Sequence, residues 1–228
     1  MLDIEPDQTV KYEVFITKKC DGNLRDLKKE KLTADHYSSM IKQMLSMLKH
    51  LKSLKKSHND IKPGNVLFVK KKNKKATSTS LFDIHLKLAD FGICNQSGGT
   101  PGWSPPDFTH DRVPGESDLY SVGLVILYLL CEDDELFYSI RDNYTEQGAT
   151  WTNDFRQLPE IDLIRKMVNP LCKPTLESCE QQWQSLKIVL ITRQRLLNIG
   201  VPKTFLHLQR GSVLERKKYV LYKLYFQF

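Results

Sequence analysis

Cysteine is sparse in this 228-residue chain and follows no pattern that would serve a disulfide framework or a metal site. The cysteines are odd in number and scattered, and none stands in C-x-x-C spacing. There are five of them: Cys20, Cys94, Cys131, Cys172 and Cys179. This distribution argues against a secreted disulfide-linked domain and against a cysteine-based zinc site. We therefore expect an intracellular location, in the reducing cytoplasm.

Long apolar runs and a targeting segment are also lacking. Residues 1–7 are acidic and do not form the basic segment followed by an apolar one that typifies a signal peptide. The longest apolar run, residues 122–131, reaches only about half a bilayer span and is typical of a buried helix. No membrane-spanning segment is predicted.

Positive charge is plentiful, with a formal net charge of +7. Such an excess can indicate binding to nucleic acid or to anionic membranes. Much of it, however, lies in local clusters such as residues 70–75, and a run of charge is usually a solvated loop or strand end. Nucleic-acid binding is therefore not expected as the main role. Apolar residues make up 40% of the chain, which is enough for a core in one large domain or two small ones.

The first part of the chain has the patterns of a strand followed by two helices. Alternating β-branched and aromatic residues predict a strand over residues 10–16, followed by a turn at 20–23. A short helix is predicted over 24–30. Thr33 can then cap a long helix, because apolar residues recur at spacings of three and four in the stretch that follows. Core packing is a commoner cause of such a stripe than a partner groove.

Two short strands and one very apolar helix are predicted further along. The strands cover residues 65–69 and 85–89, and a connection rich in lysine, serine and threonine joins them. From Ser117 to Cys131 almost every residue is apolar. This helix is therefore expected to be buried on all sides.

Three motifs with chemical content follow one another in the middle of the chain. The first is H-N-D-I-K-P-G-N from His58, the second is D-F-G from Asp90, and the third is G-T-P-G-W-S-P-P-D from Gly99. In this order they resemble the catalytic half of a serine/threonine protein kinase. A single tripeptide arises often by chance, but three ordered motifs with the right elements between them rarely do.

The resemblance covers roughly residues 12–190 and implies a fold class. That fold is α+β and mainly α: the large, C-terminal lobe of a protein kinase-like domain with a remnant of the hinge strand. The implied organisation is an N-terminal tail over residues 1–9, the kinase-like domain with hinge and large lobe over 10–190, and a basic, aromatic C-terminal extension over 191–228.

The same resemblance gives roles in phosphoryl transfer to five polar residues. Asp60 would accept or orient the proton of the attacking hydroxyl, Lys62 would place a cation against the transferring phosphate, and Thr100 would bridge the two. Asn65 and Asp90 would hold Mg2+, since oxygen ligands suit magnesium bound with nucleotide phosphates. Lys62 and Thr100 together favour serine or threonine hydroxyls of a protein as the substrate. Taken singly, Asp60 is better explained as an Asx turn and Asp90 as a turn residue before Gly92. For Thr100 the alternative is that Thr100-Pro101 merely forms a turn.

ATP is the cofactor that the resemblance implies, and four residues are candidates for contacting it. Thr17 would stand at the position of the family's gatekeeper, and Leu67 would pack under the adenine ring. Lys18 and Cys20 would offer backbone groups to the adenine edge. This stretch contains no diagnostic motif, so an ordinary edge strand leading into a turn is the alternative, and the register is open by one residue.

Three further residues have structural parts in the resemblance. Asp118 corresponds to a buried aspartate that receives backbone donors from the catalytic loop. Its carboxylate must be hydrogen-bonded, because an unpaired buried charge costs several kcal/mol. Asp107 and Lys173 match, in altered form, an ion pair at the end of the activation segment.

The chain departs from the family pattern in three respects. Before Val10 there is no G-x-G-x-x-G loop and no V-A-I-K strand lysine, so the small lobe is expected to be largely absent. The chain is then either an incomplete kinase or a catalytically inactive pseudokinase or scaffold that acts by binding a protein partner. In addition, Asn59 replaces the arginine of the H-R-D motif, and only residues 93–99 separate D-F-G from Thr100. Phosphorylation of this short loop is therefore not expected to act as a switch.

Overall fold

A computed structural model describes seven stretches of the chain, and all structural statements below concern them. These stretches are residues 17–72, 82–96, 98–105, 116–147, 158–168, 174–186 and 190–201. The strands within them are β1 (Gly22–Asn23), β2 (Val66–Lys72) and β3 (Phe82–Leu88). The helices within them are α1 (Leu24–Leu27), α2 (Ala34–Ser53), α3 (Glu116–Leu130), α4 (Asp134–Gln147), α5 (Pro159–Val168), α6 (Leu176–Gln184) and α7 (Arg193–Asn198). The predicted strand over 10–16, the predicted ion pair of Asp107 with Lys173 and both predicted tails as far as residues 1–9 and 202–228 lie outside these residues.

The three strands form one small antiparallel sheet in the order β1-β2-β3. Side chains alternate along β2, so that Val66 and Phe68 are buried while Leu67 between them is half-buried on the other face. The two predicted strands are confirmed, but both are longer than the apolar pattern indicated. β2 continues into the lysine run because Lys70 forms an ion pair with Glu30 at 2.5 Å and lies over the ring of Phe82.

The long helix α2 begins where the sequence predicts it, at a capping box. Thr33 Oγ1 accepts a hydrogen bond from the backbone N–H of His36 (3.3 Å), and the Thr33 N–H donates to His36 Nδ1 (3.1 Å). Further along the helix, Gln43 covers the edge of β3. Its Nε2 donates to the carbonyl of Ile84 and its Oε1 accepts from the N–H of Leu86. α2 therefore joins the sheet through polar contacts as well as through its apolar stripe.

The helix α3 lies at the centre of the core, and every residue from Asp118 to Cys131 is buried. The prediction of burial on all sides is confirmed. At Gly123 the neighbouring helix α5 approaches so closely that an added Cβ would stand 2.9 Å from side-chain atoms of Met167 and Val168. Among the helices of the described stretches, none combines the length and the apolar character needed to cross a membrane.

The stretch 190–201 packs onto this core, although the sequence placed nearly all of it in a separate extension. Ile191 is fully buried and pairs with Cys131 in an isolated parallel bridge. Arg195, on α7, forms an ion pair with Glu160, which is itself buried on α5. The first residues of the predicted C-terminal extension thus complete the core, while the boundary at residue 190 stays a prediction.

We expect Leu129→Asp to abolish soluble folding, because Leu129 is fully buried in the apolar core and the new carboxylate would lose its hydration there. An uncompensated buried charge costs several kcal/mol, which is a large part of a total stability of about 5–15 kcal/mol. Leu54→Asp is the matched control, since Leu54 is 53% exposed. Circular dichroism melting of the two variants decides the question. A cooperative, near-native melt of Leu129→Asp would show that α3 is not the centre of the core.

Candidate active site

The loop that carries the first motif, residues 57–65, is fixed by a carboxylate beneath it. Asp118, fully buried at the start of α3, accepts the backbone N–H of His58 (2.7 Å) and that of Asn59 (2.8 Å), one on each oxygen. This confirms the position that the sequence predicted for Asp118. Burial raises the pKa of the Asp118 carboxyl above its ordinary value, while the two backbone donors act in the opposite direction. We call residues 57–65 the catalytic loop below.

The ring of His58 anchors the same loop to the end of β3. This histidine is fully buried, its Nε2 lies 2.9 Å from the carbonyl of Ala89, and its Nδ1 accepts the N–H of Asp60 at 3.3 Å. Because Nδ1 accepts, the proton belongs on Nε2, which then donates to the carbonyl. His58 therefore holds the backbone N–H of Asp60 in place, independently of the contacts of the Asp60 side chain.

Four of the predicted site residues meet in one hydrogen-bonded cluster around the Asp60 carboxylate. Its Oδ2 accepts from Lys62 Nζ (2.6 Å) and from Asn65 Nδ2 (2.9 Å). Its Oδ1 accepts from both the hydroxyl (2.6 Å) and the backbone N–H (3.1 Å) of Thr100. Lys62 Nζ also donates to Thr100 Oγ1 at 2.6 Å, which closes a ring of three side chains. The structure thus brings together Asp60, Lys62, Asn65 and Thr100.

The electrostatics of this cluster favour an ionised Asp60. Burial by itself would raise the pKa of the Asp60 carboxyl, but the hydrogen bonds from Lys62 and Thr100, the charge of Lys62 and the hydrogen bond from Asn65 lower it below its ordinary value of 3.8. Asp60 is accordingly a carboxylate near neutral pH. Such a group can orient a hydroxyl and receive its proton.

Asp90 lies beside this cluster without belonging to its hydrogen-bonded ring. The N–H of Ala89 donates to the carbonyl of Asn65 (2.9 Å), so the backbone at Asp90 follows directly on a contact with the catalytic loop. Asp90 itself is exposed and has a φ of 62°, in the left-handed region. The ring of Phe91 lies 4.6 Å from that of His58 and is 48% exposed. Asp60, Lys62, Asn65 and Thr100 therefore lie together, and Asp90 adjoins them through the backbone.

The four residues predicted to contact a nucleotide are less closely grouped. Thr17 and Lys18 are exposed and have no regular secondary structure, while the half-buried Cys20 has its Sγ 3.7 Å from the carbonyl of Lys18. Leu67 lies on β2, opposite Asn23 of β1. The chain from Cys20 onward thus runs beside Leu67 at one edge of the sheet. The nucleotide roles of all four residues remain predictions.

One contact near the third motif escaped the sequence analysis. Arg141, on α4, lies so close to Gly102 that a Cβ on this glycine would be 2.9 Å from Arg141 Nη1, and it donates to the Gly102 carbonyl at 3.4 Å. The neighbouring Trp103 stacks on Phe137 of the same helix, with ring centroids 5.2 Å apart. The middle of the third motif is therefore held by α4. In the sequence, the only sign of this close approach is the glycine itself. In the structure it has a φ of 78°, which glycine adopts readily.

Comparison with known proteins gives one family. The family model described as "Protein kinase domain" matches residues 7–192. The chain is 31% identical over 147 residues to the DNA damage response protein kinase DUN1 of Saccharomyces cerevisiae, a match that covers 56% of this chain and 28% of that protein. It is 31% identical over 120 residues to the serine/threonine-protein kinase nekl-2 of Caenorhabditis elegans, covering 48% of this chain and 29% of that protein.

A longer match is to the calcium/calmodulin-dependent protein kinase type 1B of Rattus norvegicus, 28% identical over 184 residues, with 72% of this chain and 50% of that protein covered. The chain thus spans half or less of the length of these three relatives.

Replacing Asp118 tests whether its carboxylate stabilises the catalytic loop. We expect Asp118→Asn to destabilise the fold by about 3 kcal/mol, because an amide offers one acceptor where two backbone N–H groups need one each. Urea unfolding followed by circular dichroism gives the value. Asp35→Asn, at an exposed position in the first turn of α2, is the control and should cost less than about 1 kcal/mol. Equal effects of the two changes would refute this account of Asp118.

The pKa of Asp60 should depend on the hydroxyl of Thr100. We expect Thr100→Val to raise the pKa of the Asp60 carboxyl, because a donor that favours the charged form is lost. Since the native pKa lies below the ordinary 3.8, Asp60 contributes stability above that pH and loses the contribution as the pH falls through the native pKa. Carboxyl 13C NMR titration measures the shift, with the exposed Thr17→Val as control. An unchanged pKa in Thr100→Val would contradict the cluster.

Proposed function

This chain belongs to the protein kinase family, with serine/threonine kinases among its relatives, and on that premise we propose that it takes part in ATP-dependent phosphoryl transfer to serine or threonine hydroxyls of proteins. We assign its described residues to the large lobe of the kinase domain. The observation that carries the proposal is the cluster of Asp60, Lys62 and Thr100 with Asn65. Phosphoryl transfer needs positioning and charge neutralisation, and these are the groups that such a site uses.

Within this proposal Asp60 acts on the attacking hydroxyl. As the new bond from the hydroxyl oxygen to phosphorus forms and the bond to the leaving diphosphate breaks, the proton of the hydroxyl passes to the Asp60 carboxylate. Lys62 has three N–H donors, of which two bind Asp60 and Thr100. The third is directed by those two contacts and can stabilise negative charge on the transferring phosphoryl group.

Asn65 and Asp90 fit the magnesium ion that the family uses with ATP. The Asn65 amide nitrogen donates to both the carbonyl and Oδ2 of Asp60, which leaves its side-chain oxygen as the ligand atom. The exposed Asp90 carboxylate supplies a second oxygen, and two protein oxygens with phosphate oxygens make a donor set typical of magnesium. When bound, the ion neutralises charge on the phosphates.

The nucleotide would lie against Leu67 of β2 and the chain at Cys20, with Thr17 and Lys18 at the adenine end. The 228 residues contain no G-x-G-x-x-G loop and no V-A-I-K lysine. We therefore propose that groups outside this sequence complete the phosphate site, and that these residues alone transfer phosphate slowly. The proposed location is intracellular, in keeping with the unpatterned cysteines, and the proposed partner is a protein.

A second candidate function is that of a catalytically inactive scaffold. The same lack of a glycine-rich loop and a strand lysine favours it, because nothing in the 228 residues then holds the triphosphate in line. The geometry around Asp60 favours the enzyme, since a scaffold has no need of an ionised carboxylate bound by a lysine and a threonine.

Radiolabelled ATP with magnesium and mixed protein substrate tests the proposal. We expect slow incorporation of label into serine and threonine but not tyrosine, reduced at least about 100-fold by Asp60→Asn, because general base catalysis is lost. Asp90→Ala should also abolish it. Asp35→Asn, exposed on α2, makes the same chemical change away from the site and should retain the parent rate.

The scaffold is favoured if incorporation is equal in the parent chain and Asp60→Asn. Fast transfer by the 228 residues alone, abolished by Asp90→Ala, would instead show that no outside group is needed.

A further inference from the structure

The catalytic loop and the residues after D-F-G bind each other through an asparagine on each side. Asn95 forms a closed pair with Ser57: its N–H donates to the Ser57 carbonyl (3.0 Å), and its Oδ1 accepts the Ser57 N–H (2.8 Å). In return, Asn59 Nδ2 donates to the carbonyl of Gln96 at 2.7 Å. These three hydrogen bonds, made by Asn59 and Asn95, are called the asparagine clamp below.

Both asparagines have an unusual backbone that suits this residue type. The φ angle is 66° at Asn59 and 59° at Asn95, in the left-handed region that asparagine tolerates better than most residues. Asn59 is buried and stands where the resembling family has the arginine of H-R-D. Its neutral amide reaches a backbone carbonyl directly, whereas an arginine there would need an anion to neutralise it.

The asparagine clamp lies next to the hydrogen bonds between Thr100 and Asp60. At Gly99, with a φ of 142°, an added Cβ would be 2.9 Å from the carbonyl oxygen of Asn59 and 2.0 Å from Ser104 Oγ. The chain is thus pressed against the catalytic loop just before Thr100. The backbone N–H and hydroxyl of Thr100 then bind Asp60.

We propose that Asn59 and Asn95 are positioning residues that hold the segment after D-F-G on the catalytic loop, so that Thr100 meets Asp60 without a phosphorylated side chain. The clamp is made of neutral amides and backbone groups. It therefore forms with the fold and does not depend on phosphorylation, in contrast to a segment that is ordered by a new phosphate-arginine pair. The catalytic part of this role rests on the proposed phosphoryl transfer, but the clamp itself can be measured without it.

Amide hydrogen exchange of the 15N-labelled full chain, followed by NMR, tests the clamp. We expect Asn59→Gly and Asn95→Gly each to speed exchange of the Thr100 amide roughly tenfold, because hydrogen bonds that hold the segment are lost while glycine keeps the left-handed backbone. Lys55→Gly is the matched control: Lys55 also has a positive φ, of 53°, but lies outside the clamp. The His58 amide should stay protected in all three variants, since Asp118 holds it.

A conservative variant of Asn95 distinguishes the effect of its hydrogen bond to Ser57 from other effects of changing the residue. Asn95→Asp keeps the oxygen that accepts the Ser57 N–H, so the exchange of Thr100 should remain at the parent rate. The proposal is overturned if Thr100 exchanges at the parent rate in both glycine variants, or if Asn95→Asp is as disruptive as Asn95→Gly. Equal acceleration at His58 and Thr100 would also overturn it, because the asparagines would then support the whole domain and not the segment.

Activity provides an independent readout. In a preparation that transfers phosphate, Asn59→Gly should lower kcat about tenfold with little change in KM for ATP, since Thr100 and Asp60 act on the hydroxyl and not on the nucleotide. A change confined to KM would count against the positioning role. If no preparation transfers phosphate, the proposed function fails, and the exchange measurements still decide whether the clamp orders Thr100.

Discussion

The structure of the site depends on one interaction, the capture of two backbone N–H groups by the buried carboxylate of Asp118. A carboxylate taken out of water is destabilising unless donors replace the lost hydration. His58 and Asn59 supply those donors at 2.7 and 2.8 Å, so the loop and the central helix each satisfy a need of the other. Since α3 is buried from Asp118 to its end, core packing sets its position, and the hydrogen bonds of the Asp118 carboxylate fix the loop to it.

Asn59 and the residue after it make hydrogen bonds to three separate parts of the site. Its N–H points to Asp118, its side chain to the carbonyl of Gln96, and the next residue, Asp60, to Thr100 and Lys62. The chain bends at Asn59, where the φ of 66° lies in the left-handed region that asparagine tolerates. The position of the Asp60 carboxylate is thus set by the hydrogen bonds of Asn59, the preceding residue, and by its own hydrogen bonds to Lys62 and Thr100.

The sequence could predict those parts of the fold and site that depend on side-chain type. The family resemblance implied one site for Asp60, Lys62, Asn65 and Thr100, and the threonine before an amphipathic stripe indicated the start of α2. Contacts to backbone carbonyls left no such sign, because every residue carries one. The hydrogen bond from Asn59 to the carbonyl of Gln96 is of this kind. Strand lengths were missed for a different reason, since Lys70 of β2 is paired with Glu30, which lies in the connection between α1 and α2.

The hydrogen bonds at Asp60 also constrain how a substrate could bind. Its two oxygens accept four hydrogen bonds, which is about the number of lone pairs that a carboxylate offers. An incoming hydroxyl must therefore replace one of these donors. The backbone N–H of Thr100 is fixed by the fold and Asn65 is buried, but the Thr100 hydroxyl can rotate about a single bond while Lys62 Nζ continues to donate to its oxygen. Thr100 is thus the group best able to hold Asp60 before a substrate arrives and to give way when it binds.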